Sequence, residues 1–377
     1  MTAFQYISVF SGIGGLEHPS IAPVIVCERD PDCQTVLARR FSDAIISPDI
    51  SNLRPTGTVD VVAGGWPCQD LSSAGTLGGI SGARSGLFFE MLRVAKESGA
   101  HTLVGENVPN LLTINRGRDF NTVLDALVGA GYVNIGWRTL NAREFGLPQE
   151  RRRLFIVAST EPARAAAIHA ELPHFGSATS AGSSCGFYWT GGKRSICFLK
   201  GCVPTLKIGS TDNKGRAPVA LFVNGRIRKL TPQEFLRLQG FATLPVEGLA
   251  ASALLRMAGN AVAAPMGHFV MNSVSKSSAP SGVRTAFGVI TESGLLDGGL
   301  TWAIEHSKVQ LATNLDEFLD DSASGSLSAQ AAAGLIVRSI RAGNPMPREL
   351  FDALFQLSAD RSGKLHRKSS LHPTVQA

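Results

Sequence analysis

Short apolar runs rich in valine and isoleucine recur along residues 1–160, and segments of helical or loop character separate them. The runs predict strands at QYISVF, PVIVCE, DAIIS, VDVVAG, HTLVGE, VNIGWRTL and RLFIVAS. The segments between them predict helices at PDCQTVLARRF, LFFEMLRVAKES and FNTVLDALVGAG. Strands that alternate with helices are typical of a mostly parallel sheet, so this region is predicted to have an α/β fold.

The alternation ends after about residue 160, where the Gly/Ser-rich stretch HFGSATSAGSSCGF indicates a boundary. Helical patterning returns at TPQEFLRLQGF, where Thr231 is the predicted N-cap, Pro232 the first helical residue and Glu234 the partner in a capping box. A turn around Gly259 and Asn260 is predicted before a further helix. Beyond SKSSAPSG the chain carries no motif, although LSAQAAAGLIVRSIRAG has helical composition.

Composition narrows the class of protein. The 377 residues are enough for two or three domains, and no apolar stretch is long enough to cross a bilayer. The cysteines form no regular disulfide framework and no signal sequence precedes them, so we expect a reducing, cytoplasmic setting. A zinc site at Cys185, Cys197 and Cys202 is poorly spaced for the common structural sites, and no metal is expected.

Positive charge is concentrated in residues 161–228. This segment holds nine Lys/Arg and three acidic residues, an excess that equals the net charge of +6 of the whole chain. Phe187, Tyr188 and Trp189 lie in the same segment. The mixture suits contact with phosphates and base edges, whereas a solvated basic loop region is the alternative interpretation.

Glycines and acidic residues follow the first three predicted strands. A glycine turn in VFSGIGGLE allows a ligand to approach the backbone at a helix N-terminus. Glu17 replaces the last glycine of GxGxxG, so a cofactor without phosphates is favoured. Glu28 and Asp49 end the next two strands and can accept hydrogen bonds from ribose hydroxyls. S-adenosylmethionine satisfies these conditions.

A thiol and a carboxyl group follow the next two strands. Cys68 comes after Pro67 in VDVVAGGWPCQ, and Glu106 lies in GENVPN. Carbon 6 of cytosine is a poor electrophile until N3 is protonated or hydrogen-bonded, so a thiolate and a carboxyl group are the partners that its attack requires. A lone buried cysteine would be a packing residue. Arg151 and Arg153 alternate at the entry of a strand and can serve the base, phosphates or Glu106.

The chain resembles the DNA (cytosine-5)-methyltransferases of bacterial or phage type. Six motifs occur in the family's order over residues 6 to about 275, namely FSGIGG, PCQ with its Ser/Gly loop, ENV, QERRR, RKLTPQEFLRLQGF and GNAV. The resemblance implies a Rossmann-like S-adenosylmethionine-dependent methyltransferase sheet with a small recognition domain. It also implies that Cys68 is the nucleophile, that Glu106 contacts N3 and the exocyclic amine, and that Arg151 and Arg153 position the base and the catalytic loop.

The resemblance also implies ligand contacts. The residues expected around the cofactor are Phe10, Ser11, Gly12, Ile13, Gly14, Gly15, Leu16, Glu28, Arg29, Asp49, Ile50, Pro67, Leu87 and Asn260. Those expected at double-stranded DNA are Gln69, Ser72, Arg84, Lys193, Arg194, Lys214 and Arg216. Two features depart from the family: Arg29 stands where many relatives have an aromatic residue over the adenine, and the slot for the recognition domain is short.

We therefore expect a catalytic and cofactor-binding domain at 1–160, a target recognition domain at 161–228, a return to the catalytic domain at 229–275, and an extension without assigned role at 276–377. The expected activity is methylation of carbon 5 of a flipped cytosine in a specific DNA sequence. We expect a monomer, and the sequence leaves a partner restriction endonuclease open. Loss of everything after Lys276 is expected to leave target preference unchanged.

Two alternatives compete with this function. A tRNA cytosine-5 methyltransferase of the same fold is suggested by CFLKG at residues 197–201, but the match is partial and the following VPTL is shared with bacterial DNA enzymes. A catalytically idle DNA-binding protein is the other, and the presence of every catalytic residue counts against it.

Overall fold

The structure, a computed structural model, describes residues 4–67, 86–173, 184–188, 198–207, 219–276, 290–291, 294–295, 315–320, 323, 327–342 and 346–359. Cys68 lies outside these residues, as does every residue predicted to contact DNA. Among the described helices, none is long and apolar enough to cross a membrane.

Valine- and isoleucine-rich runs form the strands of the large sheet, and each of the seven predicted strands is present. In chain order, strands β1 to β15 span Tyr6–Val9, Ile25–Cys27, Ile45–Ser47, Val61–Gly65, Thr102–Asn107, Asn134–Asn141, Gln149–Glu150, Arg152–Ser159, Cys185–Tyr188, Phe198–Lys200, Val203–Pro204, Val219–Val223, Arg226–Lys229, Ile290–Thr291 and Gly294–Leu295.

The large sheet has the strand order β15-β14-β6-β8-β5-β4-β1-β2-β3. Strands β1 to β5 pair in parallel, whereas β8 pairs antiparallel with β5 and β6. The order reverses between β4 and β1, and sheets of this kind bind ligands beyond the carboxyl ends of the strands at such a point. The predicted Rossmann-like α/β fold is confirmed.

The helices α1 to α9 span Pro31–Arg40, Gly86–Glu97, Arg118–Gly129, Pro162–Ala166, Pro232–Leu238, Ala251–Asn260, Ala264–Lys276, Ala329–Ala342 and Arg348–Ser358. The three helices predicted between the first strands are α1, α2 and α3. The capping box at the start of α5 is also confirmed, because Thr231 accepts from the Glu234 amide and Glu234 accepts from the Thr231 amide. Gly259 and Asn260 end α6 rather than forming the turn, which follows them.

The glycine turn after β1 does not lead into a helix, so that expectation is wrong. Residues 10–24 form turns between β1 and β2. Phe10, Gly12 and Gly14 have positive φ angles, and Pro19 and Pro23 cannot donate the backbone hydrogen bonds that continue a helix. The cofactor loop is therefore held by side chains and neighbouring backbone, not by a helix terminus.

A second, four-stranded antiparallel sheet has the order β10-β9-β12-β13. The strand β11 precedes β12 in the chain and pairs in parallel with β7, directly before the QERRR arginines. The small sheet is thus attached next to the carboxyl edge of the large one.

Candidate active site

Five neighbouring strands of the large sheet bring the predicted site residues to one edge. In sheet order these residues are Glu106 in β5, Pro67 after β4, Phe10 after β1, Glu28 after β2 and Asp49 after β3. Cys68 follows Pro67 directly in the chain and lies outside the described residues. The residues predicted to be catalytic and those predicted to bind the cofactor therefore occupy two adjacent halves of one sheet edge.

The Glu28 carboxylate is oriented by two backbone amides. The Gly12 amide donates to Glu28 Oε2 and the Asp30 amide donates to Glu28 Oε1, each at 2.8 Å. An ionised carboxylate has about four acceptor positions, so these bonds leave room for two hydroxyl donors. The side chain is half-buried at the strand end, which fits the ribose of S-adenosylmethionine.

The glycine loop, residues 12–15, packs against the GNAV segment. A Cβ atom at Gly15 would lie 2.3 Å from the carbonyl oxygen of Val262, so only glycine permits this approach. Arg40 donates to the carbonyl oxygens of Ile13 and Gly14 from the other side. Asn260 is exposed at the end of α6, two residues before Val262. The glycine loop near the N-terminus and the GNAV segment, which contains Asn260, are thus in contact through Gly15 and Val262.

An apolar surface adjoins Glu28. Phe10 and Leu87 are half-buried, Ile50 is buried, and all three belong to one apolar cluster. A cleft of about 440 Å³ is lined by Glu28, Arg29, Asp30, Pro31, Asp32 and Arg256. Arg29 is exposed there, and a planar guanidinium can stack on an aromatic base. Asp49 follows the neighbouring strand β3 and accepts from the Ser51 amide at 2.9 Å.

In the sequence, Glu17 only breaks the dinucleotide motif, yet its side chain is fully buried beneath the glycine loop. Its Oε1 accepts from the Ser8 hydroxyl, and the Ser11 hydroxyl donates to Ser8 Oγ at 3.0 Å. Burial raises the pKa of the Glu17 carboxyl, and nearby Arg40 opposes this. This chain of hydrogen bonds ties the loop to β1. The only signal in the sequence is a carboxylate placed directly after an apolar turn.

Glu106 is the buried carboxyl group of the catalytic half. Arg153 Nε lies 3.0 Å from Glu106 Oε1, and both side chains are largely buried. Burial raises the pKa of Glu106, while the positive charges of Arg153 and Arg151 lower it. A Cβ at the paired residue Gly65 would lie 2.6 Å from Glu106 Oε2, so the second glycine of GGWP gives the carboxyl its space.

Asn107, in the ENV motif, positions the neighbouring strand end, and no pattern in the sequence indicates this role. Its Nδ2 donates to the Trp66 carbonyl oxygen at 3.1 Å, and its Oδ1 accepts from the Val108 amide at 2.8 Å. Trp66 is buried against Phe88, with ring centroids 5.1 Å apart. The strand end that leads into Pro67 and Cys68 is therefore fixed from β5.

The two QERRR arginines predicted at the site have different partners. Arg153 pairs with Glu106, whereas Arg151 is 1% exposed and donates to the carbonyl oxygens of Leu206, Gly259 and Ala261. Arg151 therefore connects the start of β8 with the residues that follow β11 and with the GNAV segment. Strand alternation predicts a shared side for the two arginines, but it contains no information about these distant carbonyl groups.

Segments 189–197 and 208–218 each contain one lysine and one arginine, and the residues that border them lie close together beside this site. Tyr188 pairs with Val219, and Phe198 pairs with the neighbour of Tyr188, Phe187. Lys207 Nζ lies 4.6 Å from the Tyr188 ring centroid. The residues that border segments 189–197 and 208–218 are thus together at one end of the small sheet. The Tyr188 hydroxyl donates to the Thr205 carbonyl oxygen, and the Thr205 hydroxyl donates to the Glu150 carbonyl oxygen. These two hydrogen bonds link this end of the small sheet to the QERRR motif.

Comparison with known proteins gives the family. The sequence model of the C-5 cytosine-specific DNA methylases matches residues 4–184. The chain is 33% identical over 294 residues to the type II methyltransferase M2.BsuMI of Bacillus subtilis, which covers 72% of this chain and 75% of the relative. It is 30% identical over 291 residues to M.NgoBI of Neisseria gonorrhoeae, covering 70% and 90%.

Solved structures agree on the fold. The Dnmt2 methyltransferase of S. pombe superposes with a TM-score of 0.52 at 16% identity, over 72% of this chain and 98% of that one. The chain belongs to the C-5 cytosine-specific DNA methylases, which transfer a methyl group from S-adenosylmethionine to carbon 5 of cytosine in DNA.

Proposed function

We propose that Cys68 is the nucleophile of this reaction and that Glu106 activates the base. The observation that carries the proposal is the buried Glu106 carboxyl, held 3.0 Å from Arg153 beside the strand that leads into Cys68. A carboxyl group whose pKa burial raises can hydrogen-bond to N3 of cytosine while the thiolate adds to carbon 6. Such an attack requires the base to leave the helix stack.

The remaining steps follow from this addition. The bond from sulfur to carbon 6 makes carbon 5 nucleophilic. S-adenosylmethionine, when bound beside it, would supply the methyl group as an electrophile and leave as S-adenosylhomocysteine. Transfer of the carbon 5 proton to a base, for which a water molecule suffices, then re-forms the ring double bond and expels the Cys68 thiolate. Arg153 orients Glu106 throughout, while Arg151 holds together the three segments around it.

We assign cofactor contacts by the groups at the strand ends. Glu28 accepts from the ribose hydroxyls, and Phe10, Ile50 and Leu87 supply the apolar surface for the adenine. Arg29 covers the adenine in place of an aromatic ring. Pro67, Asp49, Asn260 and the loop Ser11–Leu16 complete the pocket. Support comes from the two amides that fix Glu28 and from the close seat of Gly15 on Val262.

We place target recognition in residues 161–228. Support comes from the charge excess of this segment and from the convergence of Tyr188, Phe198, Lys207 and Val219 beside QERRR. Lys193 and Lys214 are proposed to contact phosphates, and Arg194 and Arg216 to read bases. Gln69, Ser72 and Arg84 are proposed to contact the DNA around the flipped cytosine.

The cellular role is proposed from the relatives, which are named type II methyltransferases. We infer that the protein is the modification enzyme of a restriction–modification pair and acts as a monomer in the cytoplasm. A companion endonuclease would cut the sequence that this enzyme methylates.

Methylation-sensitive sequencing of plasmid DNA from cells that express the protein tests the function. We expect 5-methylcytosine in one sequence context, and none from the Cys68→Ala variant. A Cys33→Ala variant is the matched control, because Cys33 is a buried cysteine of α1 that belongs neither to the proposed site nor to residues 161–228. Unmodified DNA with methylated cytosine in RNA would contradict the proposal.

A further inference from the structure

The small sheet has two apolar faces, and both are covered. Along β12, Val219 and Leu221 pack with the catalytic-domain helices α5 and α6, whereas Ala220 and Phe222 point the other way. The second face is completed by Phe187 and Ile227, and it packs against the C-terminal extension. A sheet of four short strands needs such cover to be stable.

The cover on this second face comes from the segment that follows Ser326. Leu327, Leu335 in α8, and Leu350 and Leu354 in α9 are at most 2% exposed and belong to the same apolar cluster as Phe187. The extension therefore contributes half of a core whose other half is β9, β12 and β13.

A second contact of the extension lies at the junction between the small sheet and α5. Arg228 in β13 forms two hydrogen bonds with the fully buried Glu234 in α5, at 2.6 and 2.8 Å. The Asp320 amide donates to Glu234 Oε1 at 2.7 Å, and Arg237 donates to Asp320 Oδ1 at 2.8 Å. Asp320 thus closes the ion pair that joins the two domains.

We propose that the segments 315–320, 327–342 and 346–359 are part of the target recognition domain. The short recognition segment 161–228 and the long C-terminal extension are then two parts of one domain. The short segment supplies the sheet, and the extension supplies the second layer on that sheet and its junction with α5. Asp320 and Leu354 are positioning residues for DNA recognition. This inference rests on the proposed placement of recognition in residues 161–228.

The test compares DNA and cofactor binding in full-length variants. Leu354→Ala removes cover from the sheet. Asp320→Ala removes the side-chain hydrogen bonds to Arg237 and Thr231 at the junction, keeps the backbone amide that donates to Glu234, and creates no core cavity. Because the residues that flank segments 189–197 and 208–218 lie on or beside the small sheet, each variant should raise the KM for DNA roughly tenfold, the factor of about one lost base contact. The dissociation constant for S-adenosylmethionine should stay unchanged.

Two exposed residues provide matched controls. Gln356 lies on α9 two residues from Leu354, and its control variant is Gln356→Ala. Asp352 is an exposed acidic residue of α9, and Asp352→Ala is the control for Asp320→Ala. Both should keep the KM for DNA of the unmodified enzyme. If Leu354→Ala does not fold, Asp320→Ala decides the test.

Two results would overturn the inference: a KM for DNA and a target preference equal to those of the controls, or an equal loss of cofactor and DNA binding. Exchanging segments 189–197 and 208–218 for those of a relative separates this from the proposed function. If the exchange leaves the target unchanged, the placement of recognition is wrong. If it changes the target while both variants bind DNA normally, only the role of the extension is wrong.

Discussion

Burial and two arginines act in opposite directions on the Glu106 carboxyl. Burial raises its pKa, and the charges of Arg153 and Arg151 lower it without cancelling the rise. The protonated carboxyl therefore persists above the ordinary carboxyl range and is lost as the pH rises through the raised pKa. A hydrogen-bond donor to N3 is thus available under conditions in which an exposed glutamate would be ionised.

Glu106→Gln should slow the single-turnover methyl transfer by roughly 10²- to 10⁴-fold, because the amide donates a hydrogen bond but cannot transfer a proton equivalently. The ratio of the unmodified rate to the variant rate should fall as the pH rises through the Glu106 pKa. Glu161→Gln, at the exposed end of an ion pair with the largely buried Arg164, is the control and should show neither effect. A constant ratio with an unchanged rate would mean that Glu106 is only structural.

Glu28→Ala should weaken S-adenosylmethionine binding by roughly 1–3 kcal/mol, because hydrogen bonds from the ribose to a charged acceptor are lost. The Gly12 and Asp30 amides also lose their shared acceptor. Isothermal calorimetry measures the change, with the exposed Asp43→Ala as control. Equal affinities for the two variants would place the ribose elsewhere.

At the level of elements, the contacts of α8 and α9 change what is expected of the extension. The sequence alone predicts that a cut after Lys276 leaves the target preference unchanged. The structure packs these helices on Phe187, Ala220 and Ile227, so their removal would expose the second face of the small sheet.

A chain ending at Lys276 should therefore unfold at a lower temperature than one ending at Ala359, which keeps both helices. Each fully buried leucine that is lost removes roughly 1.5–3 kcal/mol of burial free energy. Amide hydrogen exchange should locate the loss in β9, β12 and β13. Equal melting temperatures and equal exchange in the two truncated chains would contradict the packing described.

The elements differ in how far the sequence predicts them. Strands such as Val61–Gly65 follow from local composition, and the capping box of Thr231 and Glu234 follows from spacing along one helix. The cofactor loop does not become helical, because positive φ at Phe10 and the later prolines decide its path. The cover of the small sheet joins residues more than a hundred positions apart, and no local pattern encodes such a pairing.

The same limit applies within the site. Strand-end positions predict that Glu28 and Glu106 share one sheet edge, since parallel strands align their carboxyl ends. The hydrogen bonds of Arg151 to carbonyl groups beyond Lys200 depend on how the later segments fold back. The sequence therefore predicts which groups carry the chemistry better than what holds them in place.

At the scale of the whole molecule, target recognition is proposed for residues 161–228, and the four residues proposed there to contact DNA lie in segments 189–197 and 208–218. The residues that flank these two segments meet at one end of the small sheet. Replacing both segments with those of a relative that methylates another sequence should change the methylated motif, because the sheet and its two covering layers stay intact. Methylation-sensitive sequencing of plasmid DNA checks the result. An active chimera that keeps the original motif would contradict the assignment.

The most direct test of the account is a covalent trap at the catalytic thiol. A duplex with 5-fluorocytosine at the target should form a denaturant-stable adduct with the enzyme in the presence of S-adenosylmethionine, because fluorine cannot leave as the carbon 5 proton does. Mass spectrometry should locate the adduct at Cys68, and Cys68→Ala should form none. An active enzyme that forms no adduct, or an adduct at another cysteine, would contradict the mechanism.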